Sequence, residues 1–494
     1  MHKKVKHIAI VGGGTSAWFS AAYLARNTDH KITVIDKEIG SPVGVGEGTL
    51  LGFEEFLKDC GFETKEWFDE IDATYKSGIM FPQFGGNDNL VWHPFILNIE
   101  YPQYNSNLYE ALTHGETGNI NSKSAFFDIS VLNKVDLENL NQYAMHVDCS
   151  KLVQWIQKKI IDHIDFVKSE VIDITRDNSG NINELKLNNG NTIQADFFLD
   201  CTGFKQLLQP NPNRITLENR LFCDTALAGH VPYKDVEKEC RPFVESHAVE
   251  HGWIWKIPVR TRIGSGLVFN RSVTDPQEAA EFFSKYWEGR IKPDDLKLID
   301  WTPYYNKNMW DKNVLGIGLS AGFIEPLEST GLGTITNALR HFTRFIIPGY
   351  YNEYDINLFN STMTALYEET IDFINMHYVY SDYDSKFWKW VKDTIVPSDI
   401  YKHYKEMINN GEKLNNQGKA HFFGGANWLC WMLQIEKNIA PTKELPYSDA
   451  RRIISEWEET QQIAFNKPNT VPHLMALKKG PHNGNTGTET GTGR

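Results

Sequence analysis

Apolar and polar positions along the chain keep two rhythms, one of strands and one of helices. The first apolar run, Val5–Val11, stops at Gly12-Gly13-Gly14-Thr15-Ser16-Ala17. WFSAAYLAR (18–26) then spaces its apolar residues at helical intervals, and KITVID (31–36) alternates as a strand does. The pattern predicts a strand–helix–strand unit with glycines at its first turn. Further on, TIQADFFL (192–199) predicts a strand running into Asp200-Cys201-Thr202-Gly203-Phe204. WIWKIPVRTRIGSGLVFN (253–270) predicts two strands joined near Arg262–Gly264. Val314–Gly318 predicts a buried strand that enters EPLESTG (325–331), with a helix over Gly333–Phe345 after it. From Asp355 the spacing is mostly helical and rich in aromatics, as in FWKWV and NWLCWML.

Composition narrows the possibilities. The chain has 494 residues, 41% of them hydrophobic, enough for a large core. Its formal charge of −13, from 50 Lys+Arg against 63 Asp+Glu, leaves no basic excess to displace counterions from nucleic acid. An anionic cofactor is still allowed, because a helix N-terminus can bind one locally. Six scattered cysteines without a CxxC pair read as reduced thiols. MHKKVKH passes straight into the first strand with no room for a signal peptide, and no 18-residue apolar run occurs. A cytoplasmic protein without membrane contact is expected. Residues after Leu477 are Gly/Thr/Asn-rich and are expected to form a disordered tail.

Gly12-x-Gly14-x-x-Ala17, after a strand and opening a helix, has the context of a dinucleotide fingerprint. Gly12 permits the tight turn, Gly14 lets a pyrophosphate approach, and Ala17 allows close helix packing. Thr15, Ser16 and Lys37 flank these positions, and Asp36 is placed to accept from ribose hydroxyls. A glycine turn in an unrelated α/β protein is the plainer alternative. The later strand-to-glycine turns at 200–204, with Gly203, and 316–328, with Gly318, favour FAD over NAD, since a flavoprotein of the hydroxylase type closes its site with later segments; Gly333 is a further candidate contact. Gly46, Glu47, Gly48 and Thr49 sit in a glycine-dense stretch able to lie against a flavin, or in a plain loop. Trp253 and Trp255 share one face of a strand, which by itself usually means a packed sheet.

Taken together, GGGTSAW, Lys76 in YKSGIMF, WIWKIP (Trp253, Trp255, Ile257, Pro258) and GLSAGFIEPLESTGL resemble the flavin-dependent halogenases of the tryptophan/indole type. The similarity is dense from about His7 to Arg340. It implies an α/β fold: an FAD-binding, Rossmann-like domain of the flavin monooxygenase type, with an interleaved β-sheet substrate region and a helical C-terminal part. The expected division is 1–345 for the halogenase core, 346–477 for the helical part over the substrate, and 478–494 for the tail. FAD reduced by a separate flavin reductase, O2 and a halide ion are the implied cofactor and co-substrates. The resemblance makes Lys76 and Glu328 the catalytic pair with Ser329 beside them, and Thr330 and Gly331 the halide contacts.

Physical reasoning fits those roles. The oxidant the resemblance implies is hypohalous acid, which attacks any nucleophile in bulk water, so it must be made and used in a shielded place. An amine can hold it or form a haloamine, and a carboxylate can stabilise the cationic ring and take its proton. Taken singly, Lys76 would read as a solvated lysine and Glu328 as a helix cap.

LVWHPF (90–95) resembles the family segment that supplies His93 and Phe95 to the arene pocket, although a satisfied core histidine is as good a reading of His93. His421–Trp428 lacks the tyrosine pair and glutamate with which free-tryptophan enzymes read the amino-acid ends. A zwitterion would be desolvated there without partners. An indole-like, electron-rich arene is therefore expected, with Trp428 and Trp431 as candidate wall residues. A flavin monooxygenase and a non-catalytic flavin-binding protein are the rival functions; oligomeric state is left open, with a homo-oligomer as one option.

Overall fold

The computed structural model describes residues 4–37, 44, 46–86, 89–95, 105–115, 143–209, 212–414, 422–436 and 439–466. The expected tail, Val45 and His421 lie outside the described residues. The fold is mixed α/β. Strands His7–Val11 and Lys31–Asp36 pair in parallel, joined by the helix Thr15–Asn27, as the opening rhythm predicts. They are central to a six-stranded sheet that also takes Asp165–Lys168, Phe197–Asp200, Val314–Gly316 and Trp310–Asp311. Only Trp310–Asp311 runs antiparallel to its neighbour. Ala17, Trp18, Phe19 and Leu24 of the helix are buried; Trp18 meets Phe166 of this sheet at 5.9 Å, while Phe19 packs on Phe53 and Phe56 of the helix Phe53–Asp59.

A second sheet of seven strands carries the two tryptophans. Its order runs Lys297–Asp300, Thr225–Val231, Arg262–Phe269, Gly252–Val259, Val244–Val249, Gly78–Pro82 and Leu90–Pro94. Trp253 and Trp255 are both buried on one face, with ring centroids 6.3 Å apart. A small third sheet joins Glu47–Gly48, Ala144–Val147 and Thr74–Lys76 in antiparallel order.

Several boundaries differ from expectation: the first strand begins at His7, its helix runs Thr15–Asn27, and the later buried strand stops at Gly316. The hairpin turns at Arg260-Thr261, because Val259 pairs with Arg262 and Ile257 with Gly264. Asp72 pins that turn: its carbonyl accepts from Arg260 N–H and its carboxylate from the Thr261 hydroxyl. Gly266 answers to packing instead, since a Cβ there would meet the Trp255 ring at 2.2 Å. TIQADFFL splits into Thr192–Ile193 and Phe197–Asp200, which belong to different sheets. Asp196 sits at the break and accepts from the amides of Lys6 and His7. The helix after EPLESTG starts earlier than expected and runs Gly331–Ile346.

Beyond it lies the long helix Glu353–Tyr380, opened by a capping box on Asn352 and Asp355. Helices Lys386–Thr394, Asp399–Asn409, Gly425–Ile435 and Tyr447–Phe465 follow. Among the described residues no helix is long and apolar enough to cross a membrane.

Candidate active site

The candidate nucleotide end is built from backbone. Gly12 has φ +125°, and a Cβ there would lie 2.3 Å from the Cys201 carbonyl oxygen, so only glycine fits between the first strand and Phe197–Asp200. A Cβ on Gly13 would strike the Asp36 carboxylate, whereas the space beside Gly14 is open to 4 Å. Gly14 caps the helix without any side-chain hydrogen bond to its first amides. Open space over uncapped amides, next to an acid at the end of the second strand, fits a pyrophosphate and ribose. These observations fit FAD. Gly318 (φ +66°) comes down on this turn, its Cβ position 2.9 Å from the Ser16 Cβ. Thr15 begins the helix and Ala17 is buried in it, while Lys37 is exposed. Gly203 starts a short turn with open space around it. A Cβ on Gly333 would press on Phe422 and Leu50 at 3.0 and 3.1 Å, a tight packing position within its helix.

Lys76 and Glu328 lie at the other end, where side chains do the work. Lys76 is fully buried and ends the strand Thr74–Lys76. Its Nζ donates to the Thr49 carbonyl at 2.8 Å and sits 5.2 Å from the centroid of the half-buried Phe95 ring. Burial pushes its amine down to about 7, against the pull of the Glu328 charge. Thr49 is locked by the small sheet, its N–H donating to Met145 O and its hydroxyl accepting from Met145 N–H. Gly48 completes the approach: a Cβ there would lie 2.8 Å from Ser329 Oγ and 3.2 Å from Lys76 Nζ. Gly46 (φ +91°) rests against Ile257 and Val259, and half-buried Glu47 pairs with Val147.

EPLEST forms a turn in which Ser329 N–H donates to the Pro326 carbonyl and Ser329 takes φ +59°. A residue with a Cβ pays about 1–2 kcal/mol for that left-handed conformation, so its surroundings must impose it. The twist delivers Thr330 and Gly331 to the start of the helix Gly331–Ile346, with no side-chain cap and open space beside Gly331. Uncapped amides in that position suit a small anion.

Glu328 is 1% exposed, and its partners are two histidines. His93 Nδ1 lies 3.1 Å from both carboxylate oxygens, and His377 Nε2 lies 2.6 Å from Oε1. The amide of Asn427 donates to His93 Nε2 at 3.0 Å, which leaves Nδ1–H to donate to Glu328. The other nitrogen of His377, Nδ1, faces the Phe373 carbonyl at 2.8 Å. A carbonyl and a carboxylate both present acceptors to the His377 ring, while burial outweighs the Glu328 charge and holds its ionisation below the ordinary imidazole range. Burial opposes ionisation of both groups; for Glu328 the His93 and His377 rings outweigh it and hold the carboxyl at about 2. Glu328 and Lys76 therefore act on each other through the field, and among the described residues no hydrogen bond joins them.

Three residues earlier, Glu325 is equally buried and opposite in state. Burial raises it to about 8, and the Tyr378 hydroxyl reaches its two oxygens at 2.9 and 3.1 Å. Trp253 Nε1–H donates to the same hydroxyl at 3.2 Å. Consecutive residues His377 and Tyr378 thus hold the two glutamates of the turn, and the first tryptophan of WIWKIP braces one of them.

His93 lies against Phe373 and Phe423, with centroids 5.4 and 6.1 Å away, and those two rings stack at 4.2 Å. Trp428 meets Phe373 edge-on at 5.4 Å; Trp431 backs His377 at 3.8 Å. His377, Asn427, Phe373 and Tyr378 carry no motif. Their only signal in the sequence is polar residues set in an otherwise aromatic helical run.

The model of the tryptophan halogenase family matches residues 7–452 of this sequence. The chain belongs to that family. It is 29% identical over 451 residues to tryptophan 6-halogenase ThaL of Streptomyces albogriseolus, covering 84% of each chain. With tryptophan 7-halogenase RebH of Lentzea aerocolonigenes it shares 28% over 446 residues, again 84% of each. The fold superposes on Xcc4156, a flavin-dependent halogenase from Xanthomonas campestris, with a TM-score of 0.84 at 23% identity, over 96% of this chain and 98% of that one. Membership makes the protein a flavin-dependent halogenating enzyme and implies FAD, O2 and halide as its reagents. The nucleotide end described above is the Rossmann-like part of that fold.

Proposed function

We propose that the enzyme uses hypohalous acid, made at its flavin end, to halogenate an electron-rich arene such as indole beside Lys76 and Glu328. Gly12, Gly14, Asp36 and Gly318 would hold FAD, which a separate reductase reduces and which, with O2, supplies the oxidising equivalent for the halide. Thr330 and Gly331 offer their amides to that halide. Lys76 carries the reading: a wholly buried amine held near neutrality is balanced between binding the oxidant and forming an N–X bond with it. Glu328, ionised between two imidazoles, faces the same space as a fixed negative charge. It stabilises the cationic ring intermediate and takes the departing ring proton. His93 and Phe95 border the arene, and the Phe373–Phe423 stack extends that wall.

The curated relatives are named for tryptophan. Here, Phe422, Phe423 and Trp428 stand in a stretch without the tyrosine pair and glutamate expected for reading an amino acid's ends. Indole-like arenes without a zwitterion are the preferred substrates on this reading. The test is a bromide assay with indole, FAD, NADH and a generic flavin reductase, read by the bromine isotope doublet in mass spectra. Brominated indole from the native protein and none from Lys76→Ala is expected. An oxygenated product without bromine would replace this reading with a monooxygenase.

A further inference from the structure

His146 is a buried histidine to which the reaction above gives no part. It lies in the strand Ala144–Val147, fully buried, directly opposite Thr74 on one side and Gly48 on the other. Its Nδ1 is 2.9 Å from Thr74 Oγ1, and that hydroxyl spends its only hydrogen on the Pro258 carbonyl at 2.6 Å. Thr74 Oγ1 can therefore only accept from the ring, so Nδ1 carries hydrogen and Nε2 presents a bare lone pair. Pro258, the last residue of WIWKIP, thus sets the tautomer of His146 through one hydroxyl.

Nε2 is buried and has no partner among the described residues. A buried acceptor left unsatisfied is costly, and a leucine or phenylalanine would fill the position without that cost. The register shows what lies beside it. Thr74, Lys76, His146 and Gly48 point to the same face of the small sheet, with Lys76 diagonal to His146. Gly48 has no side chain, and the position its Cβ would take is 3.2 Å from Lys76 Nζ. Among the described residues the Thr49 carbonyl is the one hydrogen-bond acceptor of the Lys76 ammonium, which has three hydrogens to give. The charged groups around the imidazole are Lys76 on the adjacent strand, Glu47 on the other, and Glu328 on the turn beyond. Burial and the Lys76 charge both hold His146 below the ordinary imidazole range, so it rests neutral with a lone pair to offer; the second of these opposing causes vanishes once the lysine has given up its proton.

We propose that His146 Nε2 is the proton acceptor for Lys76, taking a proton from its ammonium through one bridging water. This rests on the proposed function, in which Lys76 receives hypohalous acid. The step balances: the ammonium gives one proton to Nε2, leaving an amine and an imidazolium. The amine lone pair bonds to the halogen of HO–X as the O–X bond breaks. The departing hydroxide takes the proton from His146 and leaves as water, so the imidazole is neutral again and the lysine carries the halogen. His146 is on this account a proton-positioning residue acting through Lys76.

The test is a carbon-13 NMR titration of the full chain labelled at lysine Cε, with the Lys76 signal assigned by its loss in Lys76→Ala. His146→Phe removes the lone pair and is expected to lower the Lys76 midpoint by about half a pH unit or more, since a neutral acceptor stabilises ammonium. His146→Gln offers an acceptor oxygen that cannot take a proton, so the midpoint stays within about 0.2 unit of native while turnover falls. In both variants kcat is expected to drop about tenfold or more at unchanged KM for the arene. A Lys76 midpoint unmoved in His146→Phe, or kcat within twofold of native in His146→Gln, would overturn the proposal. Should His146→Phe not fold, the Gln variant decides by turnover. The titration needs no turnover, so a native protein that fails to halogenate sinks the functional reading without hiding whether His146 contacts Lys76.

Discussion

The flavin end and the lysine end of this molecule are built by opposite means. Around Gly12, Gly14 and Gly318 the site consists of absent side chains: backbone approaches backbone, and an added methyl would collide or block a ligand. Around Lys76 and Glu328 the site consists of side chains that burial would forbid were they not paired. Those partners come from 49 residues downstream for His377 and from a separate strand for His93. The first kind of site is broken by adding an atom and the second by removing a charge.

The largest effect should come from the second kind of change. Glu328→Gln keeps the shape of the side chain but takes away the anion set against His93 and His377 and, on the proposed reading, facing the arene. A fall in kcat of about 10²–10⁴-fold is expected, the usual worth of a positioned acid–base group, with flavin affinity within twofold of native. Steady-state bromination and a flavin fluorescence titration on the same preparation measure both. Loss of flavin binding in this variant would show that the two ends are not independent.

Gly12→Ala is the complementary break. Its Cβ would lie 2.3 Å from the Cys201 carbonyl at a φ of +125°, so the first strand or Phe197–Asp200 must shift. Flavin binding is expected to weaken at least tenfold, about 1.4 kcal/mol, as measured by fluorescence quenching. Lys76, at the other end, should keep its native titration in the same variant. Normal flavin binding by the Gly12→Ala protein would remove the glycine turn from the cofactor site.

This division also decides what could be read from the chain. The strand–helix–strand opening, the glycine spacing and Asp36 are local facts, set within thirty residues or so, and the elements were legible to within two or three residues. So was the pairing of Trp253 with Trp255 on one face, because alternation along a strand needs no tertiary knowledge. The partners of Glu328 were not legible. A histidine between asparagine, methionine and tyrosine in the helix Glu353–Tyr380 has no spacing that points to a carboxylate on a distant turn. Residue type and spacing alone could not tell Glu325 from Glu328; only the family resemblance singled out Glu328. Both are acidic, both are buried, and only the groups brought against them by the fold make one a neutral acid and the other an anion.

That contrast gives the smallest and most discriminating prediction. Glu325 is raised by burial from an ordinary 4.5 to about 8, with the Tyr378 hydroxyl and, behind it, Trp253 as its support. A carboxyl raised in the fold stabilises it fully below its unfolded value, and that stability is lost as pH rises toward the folded value. The native protein should therefore lose stability between about pH 4.5 and 8 on account of this group. Glu325→Gln, which cannot ionise, should unfold at nearly the native denaturant midpoint at pH 5 and at a higher one at pH 8, with turnover changed by no more than a few fold. Chemical denaturation at the two pH values reads the first expectation, and the bromination assay reads the second. A turnover loss as deep as that of Glu328→Gln would mean that Glu325 handles a proton in the reaction, and that the turn holds two working carboxyls where the geometry supports one.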